Sequence, residues 1–430
     1  MTPSEGRSYL GRLERYGVKL GLENITTLAA ALGNPQNRFL SIHVAGTNGK
    51  GSVAAMLAGV LTAHGLRTGL YTSPHLARVE ERVRIDGRAI APRRFLGRLA
   101  ELKGVVDGLM AEGRLSYHPT YFEVLTALAF VEFAEREVDV AVLEVGMGGR
   151  FDATNVVRPL VSVITTVAMD HEKHLGATLD KIAFEKAGIV KPGVPVVCGA
   201  RGGAALRVIR RVARERRAPL VEVFGKGRSL EARPGRGGFR FVYRGERGSY
   251  SFTPGLAGLH QGANAAMAIA TAEVLSRVWK PLDKAKVLSA IRETRWEGRL
   301  ETARARPLVL LDGAHNVEGI EALAAHLRDV VRRRVVLVFA AMEDKDIRAM
   351  TRVLFPLASA VVLTRVPYER SATPEALLRA APPFKGPVFL EPDTRRAVEL
   401  ALSISGGRSP VVVAGSLFLV GEVKRLRLFD

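Results

Sequence analysis

A chain of 430 residues, 47% of them apolar, is too long for one ordinary core and is expected to divide into two or three domains. Its 63 Lys plus Arg against 43 Asp plus Glu give a formal charge of +20, which favours anionic ligands, while no apolar run approaches the ~20 residues a membrane helix needs. The polar N-terminus MTPSEGRSYLGRLERYG lacks a signal-peptide core and the single cysteine, Cys198, excludes an internal disulfide, so a cytoplasmic setting with Cys198 as buried packing is expected.

In chain order, β-branched and apolar runs predict strands at 39–45, 67–71, 139–145, 160–167, 194–198 and 219–223. Helical spacing predicts helices at 50–64, 121–137, 178–189, 203–216 and 262–278. Such alternation argues for a mostly parallel sheet covered on both faces. The segment 226–254, GKGRSLEARPGRGGFRFVYRGERGSYSFT, breaks the rhythm and reads as a small β meander near the end of the first domain. After TRWEGRLE (294–301) a second alternation begins, with strands near 307–312, 334–340, 359–364, 387–390 and 410–414. The boundary is placed near Trp296–Gly298, giving domains of 1–296 and 297–430, the second of ordinary size. Basic residues occur in short clusters such as RRVARERR (210–217) and RRR (332–334), without the interleaved aromatics of a nucleic-acid platform, so no nucleic-acid partner is expected.

Three stretches carry chemistry. In HVAGTNGKGSVAAML (43–57) strand, glycine turn and helix start follow in the order a phosphate cradle needs, with successive N–H groups and the helix field aimed at one anion. The letters depart from G-x-x-x-x-G-K-[ST]: the first glycine would fall at Val44, and Lys50 is followed by Gly51 instead of a hydroxyl. A plain glycine turn before a helix stays open at this point. In LEVGMGGRFDATN (143–155) Glu144 falls at the carboxyl end of a strand, the edge where open α/β sheets bind ligands. A dinucleotide fingerprint there would require glycine at Phe151, so that reading is set aside. The next strand ends at MDHEKHLG (169–176) and delivers Asp170 and His171 to the same edge, where Glu144 and His171 could both ligate a divalent cation that holds nucleotide phosphates. Lys186, by itself, reads as a solvated helix lysine, and Phe122 in PTYFEVLTALAF (119–130) as a core residue.

These stretches, with SPHL (73–76), IAFEKAGI (182–189), GLHQGANAAMA (258–268), DGAHN (312–316), DKD (344–346) and AGSLFLVGE (414–422), occur in an order that resembles the folylpolyglutamate synthase/dihydrofolate synthase family of the Mur ligase superfamily over essentially the whole chain. The resemblance implies a P-loop-like ATPase domain with a central, mostly parallel sheet, joined to a smaller Rossmann-like C-terminal α/β domain. It also implies that G-T-N-G-K-G-[ST] is the family's own loop. Gly46, Thr47, Asn48, Gly49, Lys50, Gly51 and Ser52 would then bind ATP phosphates, with His260, Gln261, Asn264, Arg299 and Asp312 completing the nucleotide pocket. Ser52, Ser73, Glu144 and His171 would bind Mg2+, and Lys186 would carry a CO2-derived carbamate. Arg82, Phe122 and Asp152 would line the pteroate or folate site, and His315 and Ser416 the site of L-glutamate. Lys50, Glu144, His171, Lys186 and His315 would form the catalytic set, with the domains closing about 294–299 in a monomer. The rival readings are another Mur-type amino-acid ligase, an ATP-dependent nucleic-acid-binding protein suggested by the charge, and an ATP-sensing module without chemistry, against which the loops around His315 and Ser416 argue.

Overall fold

In the computed structural model of the chain, which describes all residues except 18, 20, 236, 237 and 430, the first alternation forms one eight-stranded sheet. Its strands are β1 (Leu40–Ala45), β2 (Thr68–Tyr71), β3 (Val83–Ile85), β4 (Arg88–Ala89), β5 (Val140–Glu144), β6 (Val161–Ile164), β7 (Val196–Cys198) and β8 (Leu220–Glu222), in the order β4-β3-β2-β5-β1-β6-β7-β8. The six from β2 to β8 in that order are parallel, and the β3–β4 hairpin closes one edge antiparallel. Both β5 and β6 are buried along their whole length, as strands covered on two faces must be. The pairs Val44↔Glu144 and Val44↔Val163 fix the register, so that β5, β1 and β6 end together at the carboxyl edge.

One face is covered by the helices Lys50–Ala63, His260–Val278 and Lys284–Glu293, whose small and aliphatic residues share a core with β1, β5 and β6. The opposite face carries Tyr121–Glu135, packed with Pro3–Glu14, Glu23–Ala31 and Pro92–Ala111. Those last three helices lie outside the predicted elements, although Pro92–Ala111 buries Phe95, Leu99, Leu102, Val106 and Leu109 at helical spacing. A capping box at Thr120, with Glu123 N to Thr120 Oγ1 at 3.3 Å and Thr120 N to Glu123 Oε2 at 2.8 Å, starts the Tyr121–Glu135 helix and places Phe122 in its first turn. Cys198 is buried, as expected of packing.

The expected meander is a three-stranded antiparallel sheet, β9 (Ser229–Gly235), β10 (Gly238–Gly245) and β11 (Gly248–Phe252), ordered β11-β10-β9. Its buried face, Phe241, Tyr243, Tyr250 and Phe252, joins the core around His260–Val278.

The second domain is a six-stranded sheet of β12 (Glu301–Ala305), β13 (Leu308–Leu311), β14 (Val335–Phe339), β15 (Ala358–Leu363), β16 (Val388–Leu390) and β17 (Val411–Ala414), ordered β12-β13-β17-β14-β15-β16. All pairs are parallel except β12–β13. The sequence ETARA of β12 has no apolar alternation because the strand is a largely exposed edge, which is why periodicity passes over it. Separate apolar cores lie on the two faces of this sheet.

Phe339, on the central strand β14, is fully buried and meets Phe355 edge-on with ring centroids 6.1 Å apart. Phe339→Ala is expected to remove about 3–5 kcal/mol from unfolding of the second domain. Denaturant titration followed by far-UV circular dichroism should show a lowered midpoint, and an unchanged one would mean that the cavity collapses without cost.

Candidate active site

The loop after β1 is shaped by contacts that only glycine permits. Gly46 has φ 148°, and a Cβ there would sit 1.8 Å from Thr165 Oγ1 on the adjoining chain after β6. Gly51, the departure from the expected hydroxyl, is explained by its neighbours: a Cβ would lie 3.1 Å from Trp296 Nε1 and 3.6 Å from Glu144 Oε2. The Lys50–Ala63 helix starts at Gly49 with no side-chain cap, so the N–H groups of its first turn are left for an anion.

Two ammonium groups converge on this loop. Lys50 Nζ donates to the carbonyls of Gly46 and Thr47 at 3.0 and 3.1 Å, and Lys186 Nζ donates to the same Gly46 carbonyl at 2.9 Å. Lys186 is 3% exposed, so it is not the solvated lysine that its local sequence describes. Burial, with Lys50 next to it, pushes its ammonium down to about 7. Burial also lowers Lys50, opposed by the carboxylates of Glu144 and Asp170.

Glu144 ends β5 buried and accepts from Ser73 N at 3.1 Å. Burial raises its carboxyl, and Lys50, Ser73 N and Arg299 counteract that. Gly51, Ser73, Trp296 and Arg299 join Glu144 around a small cavity of about 40 Å³. Ser52 turns to the other side, where its Oγ accepts from Gln261 Nε2 at 3.5 Å. Gln261 in turn accepts from Asn264 Nδ2 at 2.9 Å and lies 3.2 Å from His260 Nε2, which ties the loop to the start of the His260–Val278 helix. Burial lowers His260 to about 4, so it is neutral at pH 7.

His171 is placed differently from Glu144. It stands on the rim of a larger cleft of about 370 Å³, while Ser73 borders both cavities. Its Nε2 lies 3.8 Å from Asp170 Oδ2 and its side chain is 40% exposed; partial burial, with Lys345 and Lys50 nearby, lowers the ring to about 4, leaving a neutral imidazole able to act as a metal ligand. Among the described residues no group of three or more His, Cys, Asp or Glu is arranged to hold a metal ion.

The second domain reaches into the first at this point. Asn48 and Asn316 exchange amide hydrogen bonds of 3.2 and 3.1 Å, Asn48 also donates to Glu318, and Thr166 Oγ1 donates to Glu318 at 3.4 Å. Lys345 Nζ pairs with Asp170 Oδ1 at 2.8 Å, and both side chains are nearly buried. Burial alone would raise Asp170, but His171 and Lys345 hold it well below the usual carboxylate range. Asn316, Glu318, Thr166 and Lys345 are absent from the sequence-derived site. Asn316 and Lys345 fall inside the DGAHN and DKD motifs, yet nothing in one sequence says which residues across the boundary they meet.

Asp312, expected to complete the nucleotide pocket, accepts from Leu300 N at 2.8 Å and Ala314 N at 2.9 Å, so it braces the turn that carries Arg299. His315 Nδ1 lies 2.9 Å from the Gly313 carbonyl, which requires the Nδ1–H tautomer and leaves a bare Nε2. Burial lowers its pKa. Ser416 caps the Leu417–Arg425 helix, its Oγ accepting from Phe418 N at 3.2 Å.

His315 and Ser416 line the larger cleft opposite Arg82, Phe122 and Asp152. Arg82 donates to His75 Nδ1 at 3.0 Å and lies 5.2 Å from the Tyr121 ring. Phe122 is half-buried, with one side on Tyr71, 5.9 Å between centroids, and the rest toward the cleft. Asp152 accepts from Met147 N and Thr154 N, each at 3.0 Å. One elongated site, polar at the loop and partly aromatic at the far end, thus runs along the junction of the two domains.

Comparison with known proteins is consistent with this geometry. Residues 44–272 match the Mur ligase middle domain, and residues 298–417 match the Mur ligase glutamate ligase domain. The chain is 35% identical over 428 residues to the dihydrofolate synthase/folylpolyglutamate synthase of Bacillus subtilis, covering 98% of each chain. Its structure superimposes with a TM-score of 0.91 on a Mycobacterium tuberculosis folylpolyglutamate synthase complexed with ADP, 34% identical, with 99% of each chain covered. It also resembles E. coli FolC in complex with DHPP and ADP, with a TM-score of 0.85 and 29% identity, covering 98% of this chain and 97% of that one.

The depressed Lys186 makes a stability prediction. Its ammonium titrates near 7 when folded and near 10.5 when unfolded, so folding carries the full cost of a buried cation below pH 7 and loses that cost as pH rises toward 10.5. Lys186→Met should therefore stabilise the protein more at pH 6 than at pH 10 in CO2-free buffer. Urea midpoints at the two pH values measure this, and an equal or larger gain at pH 10 contradicts the depressed value.

Proposed function

The chain belongs to the Mur ligase family, as one of its folylpolyglutamate/dihydrofolate synthases, and on that footing we propose how its residues carry the ATP-dependent joining of L-glutamate to the carboxylate of a pteroate or folate. One observation carries the assignment: the glycine loop with Lys50 and Lys186 faces Glu144 at the end of β5, while His315 and Ser416 line the adjoining cleft from the other domain. The M. tuberculosis relative is described with ADP and the E. coli relative with DHPP and ADP, which supports ATP and a pterin acid as substrates here.

A carboxylate is a poor electrophile in water. The γ-phosphoryl group of ATP passes to a substrate carboxylate oxygen, giving an acyl phosphate and ADP. The amine of L-glutamate then attacks the acyl carbon, the amide forms and inorganic phosphate leaves. Phosphoryl transfer needs positioning and charge neutralisation more than covalent help from the protein. The first-turn N–H groups of Lys50–Ala63 and the ammonium of Lys50 bind the phosphates, and Asn264, Gln261, His260 and Arg299 hold the nucleoside side. His315, which lines the cleft and whose Nε2 is bare, takes the proton of the attacking amine.

The residues fit Mg2+. Glu144, the buried carboxylate that accepts from Ser73 N, would hold a cation that draws most of its ligands from phosphate and water, whereas Ser52, turned toward Gln261, and His171, on the rim of the larger cleft, would have to move in to join it. Mg2+ bound there would neutralise charge on the phosphates. Lys186 fits a carbamate: it is buried, poised near 7 and in need of a negative group to offset Lys50. A carbamate forms on the neutral amine, and its charge would replace a repulsion with an attraction.

The assignment divides the chain at 296/297 and has the two domains close about 294–299, which shields the acyl phosphate from water. It further takes the protein to be a cytoplasmic monomer. Neither a membrane nor nucleic acid has a part in the reaction. Among the described residues no helix is long and apolar enough to cross a membrane.

ADP release with L-glutamate tests the substrate. Dihydropteroate, tetrahydrofolate or both should drive it and UDP-muramyl peptides should not; release with the latter alone would move the chain to another branch of the family. Glu144→Ala should lower kcat by about 10³ or more while circular dichroism stays unchanged. Lys186→Ala should be inactive and partly restored by acetate or another small carboxylic acid. Inactivity that no such acid relieves removes the support for a carbamate.

A further inference from the structure

His43 sits in the middle of β1 and is 0% exposed, on a strand that is otherwise apolar except at Ser41. Its Nε2 lies 2.8 Å from Thr154 Oγ1, and its Nδ1 has no partner among the described residues. Thr154, also 0% exposed, is hydrogen-bonded from Oγ1 to Asp152 Oδ1 at 2.5 Å, and its own N–H donates to the same oxygen at 3.0 Å. Asp152 Oδ2 accepts from Met147 N at 3.0 Å, and Asp152, 6% exposed, is one of the residues lining the larger cleft.

The directions of these bonds are determined by proton counting. With Asp152 ionised its oxygens can only accept, so the single hydroxyl proton of Thr154 goes to Asp152. The hydroxyl then accepts from His43, which makes the imidazole the neutral Nε2–H tautomer and leaves Nδ1 without a proton and without a partner. Burial holds this ring far below ordinary histidine, at about 3, so it stays neutral at physiological pH. A leucine at this place would fill the core without stranding a polar atom, which makes packing a poor account of a histidine here.

We propose that His43 and Thr154 are positioning residues for the acid substrate: the chain His43 Nε2–H to Thr154 Oγ–H to Asp152 holds the carboxylate ionised and oriented, so that Asp152 presents an obligate acceptor to N–H donors of the heterocyclic acid in the cleft. The inference rests on the proposed reading in which Asp152 lines the pteroate or folate site. Burial pushes the Asp152 carboxyl upward, with the bonds from Thr154 and from the Met147 and Gly146 amides opposing it, so the relay works against the neutral form that would turn an acceptor into a donor.

The test is steady-state ADP release with each substrate varied in turn. Thr154→Val keeps the shape and removes the hydroxyl, and it should raise KM for the pterin acid by about tenfold while KM for ATP and for L-glutamate stay within about twofold. Thr154→Ser should return the acid KM to near the unaltered value, and His43→Leu should behave like Thr154→Val. An unchanged acid KM in Thr154→Val, or an equal rise in all three KM values, overturns the relay. Absence of turnover by the unaltered enzyme with any pterin acid overturns the reading beneath it instead. Independently of activity, 15N-histidine NMR of the unaltered protein at pH 7 should show His43 as neutral Nε2–H; an Nδ1–H or doubly protonated ring overturns the proposal.

Discussion

Burying two ammonium groups against one carbonyl oxygen is the constraint around which the first domain is arranged. Lys50 and Lys186 both rest on Gly46, and a desolvated pair of like charges is costly unless opposite charge is brought close. The structure supplies part of it from strand ends: Glu144, the last residue of β5, and Asp170, beyond β6, come near the loop because the register of β5, β1 and β6 brings those ends level. The rest must come with the ligands. An ATP-dependent ligase gains from this arrangement, because a site short of negative charge favours a polyanionic ligand.

The second domain contributes to the same balance. Lys345 pairs with Asp170, and Asn316 and Glu318 grip Asn48 and Thr166, so the glycine loop after β1 is also the place where the domains are joined. Any ligand that displaced or tightened this loop would therefore act directly on groups held by the other domain. Coupling between binding and domain position needs no long pathway here, since it crosses one layer of side chains.

The alternating apolar runs made the two sheets and the meander legible in sequence, because buried parallel strands need continuous β-branched stretches. The β12 edge strand and the Pro3–Glu14 helix were not legible: one is exposed and polar, and the other buries only a thin stripe at Gly6, Tyr9, Leu10 and Leu13. At the site, the glycine loop and Glu144 could be read from the order of elements, whereas Lys186 could not. Its neighbours in sequence look like a surface helix, and only the tertiary contact with Gly46 takes it out of water. Asp312 shows the opposite limit, since a motif points to it but the structure gives both of its oxygens to backbone amides.

Moving the hydroxyl from position 51 to position 52 rotates it by about 100° around the helix axis. Ser52 consequently points to Gln261, and the vacated side at Gly51 is filled by the indole edge of Trp296, with the Arg84 guanidinium 5.3 Å from its ring. Trp296 is one of two tryptophans in the chain, and it stands between the phosphate loop and the strand that opens the second domain. One indole thus touches the glycine loop on one side and, through Arg84, the β3 edge of the sheet on the other, so its surroundings belong to two elements that the chain keeps far apart in sequence.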